Sequence, residues 1–183
     1  MGRAQSVAWG HGLMENPLRS YLTEEIPHLR RYARALVGNH EEADDLVQAC
    51  LERALSKASQ WDPSKGLRSW LFRILHNHFV SSRRSQTREQ EFQRRYPVKD
   101  TVPPNQENLF DLDTVQNAMH RLPEDHREAL LLVAVSGFSY EEASNILSVP
   151  IGTVRSRLSR AREGLRMIMD QTSRDDISGE EER

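Results

Sequence analysis

The sequence predicts an all-α protein with two small helical domains joined by a flexible linker, and three observations support this fold class. Apolar residues recur at i, i+3, i+4 and i+7 in several segments, which is the period of an amphipathic helix. No segment alternates apolar and polar residues as a half-buried strand does. Residues 86–108 lack an apolar period and hold three prolines among many Gln, Arg and Asn, which is typical of a linker.

The predicted domain boundaries follow these changes of pattern. We expect a mobile tail, a first helical domain, the linker, a second helical domain that contains a helix-turn-helix, and a disordered acidic tail. In that order they cover residues 1–15, 16–85, 86–108, 109–170 and 171–183.

Composition excludes several classes of protein. Of the 183 residues, 28% are charged and 37% hydrophobic, which is too polar for one large core and too apolar for general disorder. No stretch approaches the roughly 20 apolar residues of a membrane span, and no apolar run follows Arg3 as it would in a secretory signal. The one cysteine, Cys50, excludes an internal disulfide and a cysteine-based zinc site. We therefore expect a cytoplasmic protein without membrane insertion.

The net charge of −2 conceals a segregation of charge along the chain. Residues 64–95 hold eight Lys or Arg against two acids, and residues 151–166 hold five Arg against one acid. Residues 100–128 and 170–183 are mainly acidic. Two separate basic segments suggest two contacts with a polyanion, although two solvated helix faces would give the same counts.

Three helices are predicted in the first domain. Apolar positions over 18–37 have helical spacing, with Pro27 as an interruption. Asn39 is the expected N-cap of a second helix over 41–58, because the acids that follow it suit the positive end of the helix dipole. A third helix is expected over 67–85, within the first basic segment.

Two polar surfaces lie on these helices. The acidic face lies opposite the apolar stripe of the second helix and consists of Asp44, Asp45, Gln48 and Glu52. The second surface places aromatic, basic and amide groups on one side of the third helix, namely Trp70, Arg73, Asn77 and Arg84, with Lys65 and Arg68 just before them. Single-stranded nucleic acid requires such stacking, phosphate and base-edge contacts. Solvated faces, and a core position for Trp70, are the structural alternatives.

The most informative segment is 122–166. Ser139 and Glu142 have the spacing of a capping box, and Pro150 suits the first turn of the next helix. That helix has an apolar stripe of Val154, Leu158, Ala161 and Leu165. Its other faces carry Thr153, Arg155, Ser156, Arg157, Ser159 and Arg160. Two short helices, a tight turn and a long basic helix predict a helix-turn-helix that reads the major groove of DNA. A helical hairpin with solvated arginines is the alternative.

In this order the motifs resemble those of bacterial extracytoplasmic-function (ECF) sigma factors of the sigma-70 family. The first domain contributes EADDLVQ at 42–48 and GLRSWLFRILHN at 66–77. The second contributes GFSYEEA at 137–143 and IGTVRSRLSRAR at 151–162. The resemblance covers about 16–85 and 109–170.

The resemblance implies a protein that binds core RNA polymerase and directs promoter-specific initiation of transcription in a stress response. The first domain would be sigma region 2, which binds the β′ coiled coil through the acidic face. Its residues from Lys65 to Arg84 named above would open and read the −10 element of promoter DNA. The second domain would be sigma region 4, which reads the −35 element with the six polar residues of its last helix and touches the β flap. An anti-sigma protein is a further implied partner. No cofactor, metal ion or small-molecule substrate is implied.

Two other interpretations come from the residues alone. A stand-alone helix-turn-helix repressor or activator would need a sensing or dimerising domain, but residues 16–85 carry no heptad seam or ligand-pocket signature. An enzyme is suggested only by His76 and His78, which at i and i+2 of a helix point about 200° apart and cannot hold one metal ion together. His78 is expected in the core, and Cys50 is expected to be buried and inert.

Overall fold

The computed structural model of the chain describes residues 17–62, 66–95 and 114–180. Every regular element in these ranges is helical, which confirms the predicted all-α fold class. Their α-helices are α1 (Pro17–Val37), α2 (His40–Ser56), α3 (Leu67–Arg95), α4 (Thr114–His120), α5 (Glu124–Leu130), α6 (Tyr140–Leu147) and α7 (Ile151–Glu180). A 3₁₀ turn, Ala58–Gln60, follows α2, and a π-type turn, Leu131–Val135, continues α5.

The first three helices form a bundle around an apolar core. The predicted cap of α2 is present, because Asn39 Oδ1 accepts hydrogen bonds from the backbone N–H of Glu41 at 2.8 Å and of Glu42 at 3.1 Å. Pro27 was expected to interrupt the first helix but lies inside α1. Its ring lies on the exposed side, while buried Leu22 and Leu29 hold the helix to the core on the other side.

The second half is a helix-turn-helix in which α7 packs on both α5 and α6, while α6 also packs on α3. The predicted capping box is complete, since Ser139 N–H donates to Glu142 Oε2 at 2.8 Å and Glu142 N–H donates to Ser139 Oγ at 3.2 Å. Gly137 ends the preceding turn with a φ of +74°, a left-handed conformation that glycine adopts without steric cost. The buried side of α7 is formed by Val154, Leu158 and Ala161.

Two helices are longer than the sequence predicted. The third helix was expected to end near 85, but α3 continues to Arg95, so the first part of the predicted linker is helical. The added segment, QTREQEFQRR, consists mainly of good helix formers without Gly or Pro, so the helix propagates beyond its last buried residue.

The same correction applies to the acidic tail, which was expected to be disordered from 171. Helix α7 continues to Glu180, because the packed part of the helix supplies the nucleus and no proline stops its propagation. The predicted N-terminal tail, the rest of the predicted linker after 95 and residues 181–183 lie outside the described residues.

The two halves pack directly against each other, which the sequence did not predict. One cluster of buried apolar side chains extends from α1, α2 and α3 into the second half, and the rings of Phe72 on α3 and Phe138 before α6 meet edge to face at 4.8 Å. Gly38 lies so close to His120 of α4 that a Cβ atom would stand 2.7 Å from the imidazole ring. A bulkier residue at position 38 would therefore displace the His120 ring, and it would also be strained at the φ of +78° that Gly38 adopts.

Candidate nucleic-acid and protein interfaces

The polar side of α7 is held outward by the buried stripe on its opposite side. Val154, Leu158 and Ala161 are each 2% exposed or less. With a helical step of 100° per residue, Ser156, Ser159 and Arg160 then lie farthest from the core, and all three are exposed. The helix therefore presents a hydroxyl, a second hydroxyl and a guanidinium in one row, which are groups that bind base edges and phosphates.

The other predicted residues of α7 lie on its flanks. Arg157 is half-buried, and its Nε lies 3.1 Å from Oδ2 of Asp125 on α5. On the opposite flank, the guanidinium of Arg155 lies 5.8 Å from the ring centroid of Tyr140. Thr153 is half-buried near the start of the helix. The sequence grouped Arg155, Arg157 and Arg160 together, but the structure gives them different surroundings. Arg155 and Arg157 each contact another side chain, whereas Arg160 has no side-chain partner among the described residues.

A basic groove lies beside this helix. It measures about 420 Å³ and lies between α6 and α7. Its lining consists of Tyr140, Arg155, Leu158, Ser159, Arg162, Glu163 and Arg166. Since three of these side chains are arginines, the groove carries net positive charge next to the exposed row of α7. This arrangement can accept the phosphates of a bound duplex.

The acidic face of α2 has the geometry that the sequence predicted. Its four side chains are exposed on one side of the helix, opposite the buried stripe. Asp44 lies 3.5 Å from Arg30 of α1, and Gln48 donates to Glu52 at 3.1 Å. These surface contacts are weak and rearrange at little cost, so the face is available to a basic partner; that role stays a prediction.

The predicted nucleic-acid face of α3 is an exposed surface with one anchored aromatic. Arg73, Asn77 and Arg84 are exposed, while Trp70 is half-buried and packs against the apolar core. The indole of Trp70 thus has a partly structural role, and a core position was one of the alternatives considered for it. Lys65, the first residue of the predicted set, lies outside the described residues.

Among the described residues of the predicted nucleic-acid surface, Arg68 lies on a different side of α3 from the others. Its Nη2 donates to the carbonyl of Ser136 at 2.7 Å, and its Nε lies 3.7 Å from Glu25 of α1. The guanidinium also lies 5.2 Å from the ring centroid of Phe138. It is therefore directed at the second half of the chain, about 140–200° around α3 from the predicted nucleic-acid face.

A buried hydrogen bond between side chains joins the halves at the middle of α3. His76 Nδ1 lies 2.7 Å from Oε1 of Glu128 on α5, and both side chains are almost fully buried. Close by, burial and then the charge of Glu128 raise the pKa of Tyr32 well above its ordinary value. The Tyr32 hydroxyl finds no hydrogen-bond partner within the described ranges. Burying a polar group such as the Tyr32 hydroxyl without a hydrogen-bond partner costs free energy of folding.

Sequence reasoning missed this pair and placed His78 in the core instead. His78 is half-buried, and burial, followed by the charge of Arg53, lowers its pKa below 6.5. The signal for His76 was its spacing, because it lies four residues after Phe72 and three before Phe79 on one side of α3. In the described part of the chain, no three His, Cys, Asp or Glu side chains are placed to hold a metal ion.

Cys50 is buried as predicted, and its Sγ–H donates to the carbonyl of Leu71 at 3.4 Å. Burial raises the pKa of this thiol to about 12, which keeps it protonated and unreactive at neutral pH. None of the helices in the described residues combines the length and the hydropathy needed to cross a bilayer.

Comparison with known protein families assigns both halves of the chain. The family described as "Sigma2 domain of PhyR" matches residues 22–76, and the family described as "Sigma-70, region 4" matches residues 112–165. The first match contains the acidic face and two residues of the predicted nucleic-acid face of α3, Trp70 and Arg73. The second contains the helix-turn-helix.

Individual relatives match between 70% and 85% of the chain. The ECF RNA polymerase sigma factor EcfG of Rhodopseudomonas palustris is 39% identical over 157 residues, which are 85% of this chain and 87% of that protein. The RNA polymerase sigma-H factor of Pseudomonas aeruginosa is 33% identical over 142 residues, or 70% of this chain and 74% of that protein. The solved structure of the sigma factor RpoE in complex with the anti-sigma factor NepR, from Bartonella quintana, has a TM-score of 0.73. It is 36% identical, and the alignment covers 85% of this chain and 98% of RpoE.

Proposed function

Because this chain belongs to the extracytoplasmic-function sigma factors of RNA polymerase, we propose how its surfaces divide the recognition of a promoter. The first half, residues 16–85, acts as sigma region 2, and the second half, residues 109–170, acts as sigma region 4. The acidic face of α2 binds core polymerase, the outer face of α3 contacts the −10 element, and α7 reads the −35 element. The observation that carries this proposal is the exposed row Ser156, Ser159 and Arg160, held outward by a fully buried stripe.

The contacts of α7 assign different tasks to its arginines. Arg160 lies at the outer edge and its guanidinium has no partner among the described residues, so it is the arginine that reads a base. Arg155, next to Arg162 and Arg166 along the basic groove, neutralises phosphates. Arg157 is tied to Asp125 and orients α7 on α5. Bidentate arginine contacts to a base are worth about 1–3 kcal/mol of discrimination, whereas phosphate contacts hold all sequences equally.

Transcription from a promoter library with core polymerase tests this division. We expect Arg160→Ala to relax the preference at one −35 position by about 1–3 kcal/mol. Arg157→Ala is the matched control, since it removes the same side chain from the same helix but from its inner flank. It should leave the pattern of preferences unchanged. A shift of preference with Arg157→Ala and none with Arg160→Ala would contradict the assignment.

A second experiment tests the acidic face of α2. Asp45→Arg reverses a charge on an exposed side chain, so folding should change by less than about 0.5 kcal/mol, while binding to core polymerase should weaken at least tenfold because like charges then oppose each other. Glu24→Arg, an equal charge reversal at an exposed position of α1, is the control and should bind core polymerase as the unmodified protein does. Equal binding by both variants would place the polymerase contact elsewhere.

The regulatory partner follows from the solved relative. The RpoE structure that matches 85% of this chain is a complex with an anti-sigma factor, and this supports an anti-sigma protein as the partner that withholds this chain from polymerase until stress. Core polymerase and promoter DNA complete the set of partners. Sequence-specific binding of this chain to promoter duplex in the absence of polymerase would instead indicate a stand-alone regulator.

A further inference from the structure

An acidic side chain lies on the side of α7 that the proposed function gives to DNA. Glu163 follows the buried Val154 by nine residues, so at 100° per residue it lies about 180° around the helix from that side chain. It is exposed, and its direction falls between those of Ser159 and Arg160, one turn further along the helix. Glu163 therefore extends the exposed row of α7 by one turn.

Glu163 also lines the basic groove beside α7. The groove contains three arginines, Arg155, Arg162 and Arg166, and this one acid. Within the described residues, the carboxylate of Glu163 forms no ion pair with any of the three. The arginines thus keep their donors for phosphates, and the carboxylate keeps both of its oxygens for another donor.

The exposed row ends at Glu163. The next two residues on the same side of α7 are Met167 and Asp170, which are both exposed. Neither a thioether nor a second carboxylate binds phosphate or suits a position close to it. The part of α7 that can read bases therefore runs from Ser156 to Glu163, which is about 10 Å along the helix axis. At 3.4 Å per base pair this length covers about three base pairs, and Glu163 lies at one end of them.

A carboxylate in this position requires a hydrogen-bond donor on the DNA. Phosphates on both sides of the major groove repel it, and an ionised carboxylate can only accept hydrogen bonds. In the major groove the donors are the N4 amino group of cytosine and the N6 amino group of adenine. Adenine places its acceptor N7 next to the amino group, where it opposes the second carboxylate oxygen. Cytosine has no such acceptor on its own edge, so it is the better partner.

We propose that Glu163 is a specificity-determining residue of α7, which accepts a hydrogen bond from the N4 amino group of a cytosine at one end of the −35 element. This inference deepens the proposed function and rests on it. Arg160 lies about 4.5 Å earlier along the helix axis and reads a base one or two pairs away. The groove arginines bind the neighbouring phosphates, which offsets the negative charge that Glu163 brings to the DNA.

Transcription with core polymerase from a library randomised over the −35 element tests this proposal on the full chain. The unmodified chain should prefer cytosine about tenfold at one position. Glu163→Ala should remove that preference and keep the one that depends on Arg160. Glu163→Gln should change the preferred base from cytosine to adenine, because an amide both donates and accepts and so pairs with N7 and N6 of adenine.

Asp170→Asn is the matched control, since it removes an equal charge from the same side of the same helix two turns beyond Glu163. It should leave every base preference unchanged. If Glu163 acted only by repelling phosphates, Glu163→Gln and Asp170→Asn would both raise transcription from all promoters alike and leave the cytosine preference in place. That result would overturn the proposal.

Two further outcomes separate a base contact from other roles. Circular dichroism checks that the helices of each variant are intact. Loss of preference at every −35 position in Glu163→Ala would show that Glu163 positions α7, and a preference for a base other than cytosine at the affected position would show a different contact; either would overturn the assignment. Absence of any −35 preference in the unmodified chain would refute the proposed function as well. A −35 preference that responds to Arg160→Ala and to neither Glu163 variant would refute this inference alone.

Discussion

The two faces of α3 have nearly the same composition and different surroundings. The side of α3 that faces the second half, called here the inner stripe, consists of Arg68, Phe72, His76, Phe79 and Arg83. The predicted nucleic-acid face, called here the outer face, consists of Trp70, Arg73, Asn77 and Arg84. The guanidinium of Arg83 is bound by two carboxylates, whereas Arg84, the next residue, is exposed and its side chain has no ion-pair partner among the described residues. The two faces thus differ in the residues that lie opposite them.

This difference shows that basic and aromatic residues at helical spacing do not by themselves indicate nucleic acid. Arginine binds a carboxylate or a backbone carbonyl with the same fork of donors that binds phosphate, and it stacks on phenylalanine as it does on a base. The partner is selected by neighbouring charge. The inner stripe faces Glu25, Glu124 and Glu128, while the outer face has no such acids opposite it in the described structure.

Two adjacent residues, His76 and Asn77, give the largest expected contrast between the faces. His76→Ala leaves the buried Glu128 carboxyl without its hydrogen-bond partner, and a buried polar group that loses its partner costs about 1–3 kcal/mol. Asn77→Ala removes an exposed amide and should change the free energy of unfolding by less than about 0.5 kcal/mol. Urea denaturation of both variants measures the difference.

The same two variants should show the opposite order in transcription. Asn77→Ala should weaken initiation at promoters with an intact −10 element, because the outer face loses its proposed base-edge contact. His76→Ala should retain that contact at temperatures where the chain is folded. Equal unfolding free energies for the two variants would show that the His76 and Glu128 pair does not hold the halves together.

Local patterns in the sequence were sufficient for most of the fold. Caps such as Asn39 and Ser139 depend on residues two or three positions away, so their hydrogen bonds could be predicted from spacing alone. The outward row of α7 followed in the same way from the apolar stripe on its other side. These features require no knowledge of distant parts of the chain.

The predictions from sequence were wrong mainly where a side chain contacts a segment far away in the sequence. Arg68 was grouped with the outer face because it precedes Trp70 in the sequence, yet its partner Ser136 is 68 residues away. His78 was preferred to His76 as the core histidine because only one buried side of α3 was considered, whereas the second half covers another. Helices α3 and α7 exceed their predicted ends because a packed helix supplies the nucleus from which further turns propagate, and apolar periodicity gives no signal beyond the last packed residue.

The smallest expected effect concerns the capping box where α6 meets α3. Glu142 accepts hydrogen bonds from Ser139 N–H at 2.8 Å and from Ser69 of α3 at 3.4 Å. The backbone hydrogen bond from Ser139 is the main cause that lowers the pKa of Glu142 below 4.5, its ordinary value. Because the folded carboxyl binds its proton less readily than the unfolded one, its charge stabilises the fold above pH 4.5, and this contribution is lost as pH falls through the lowered value.

Glu142→Gln tests this contribution, since the amide keeps the shape and one acceptor but not the charge. We expect a loss of about 0.5 kcal/mol in the free energy of unfolding near pH 7, and a smaller difference from the unmodified chain at pH values below 4.5. Glu141→Gln, an exposed neighbour outside the capping box, is the control and should show a smaller loss at pH 7. A difference between Glu142→Gln and the unmodified chain that stays constant down to pH 3 would mean that the carboxylate charge of Glu142 does not stabilise the junction of α3 and α6. The inner stripe would then hold the two halves together without help from the cap of α6.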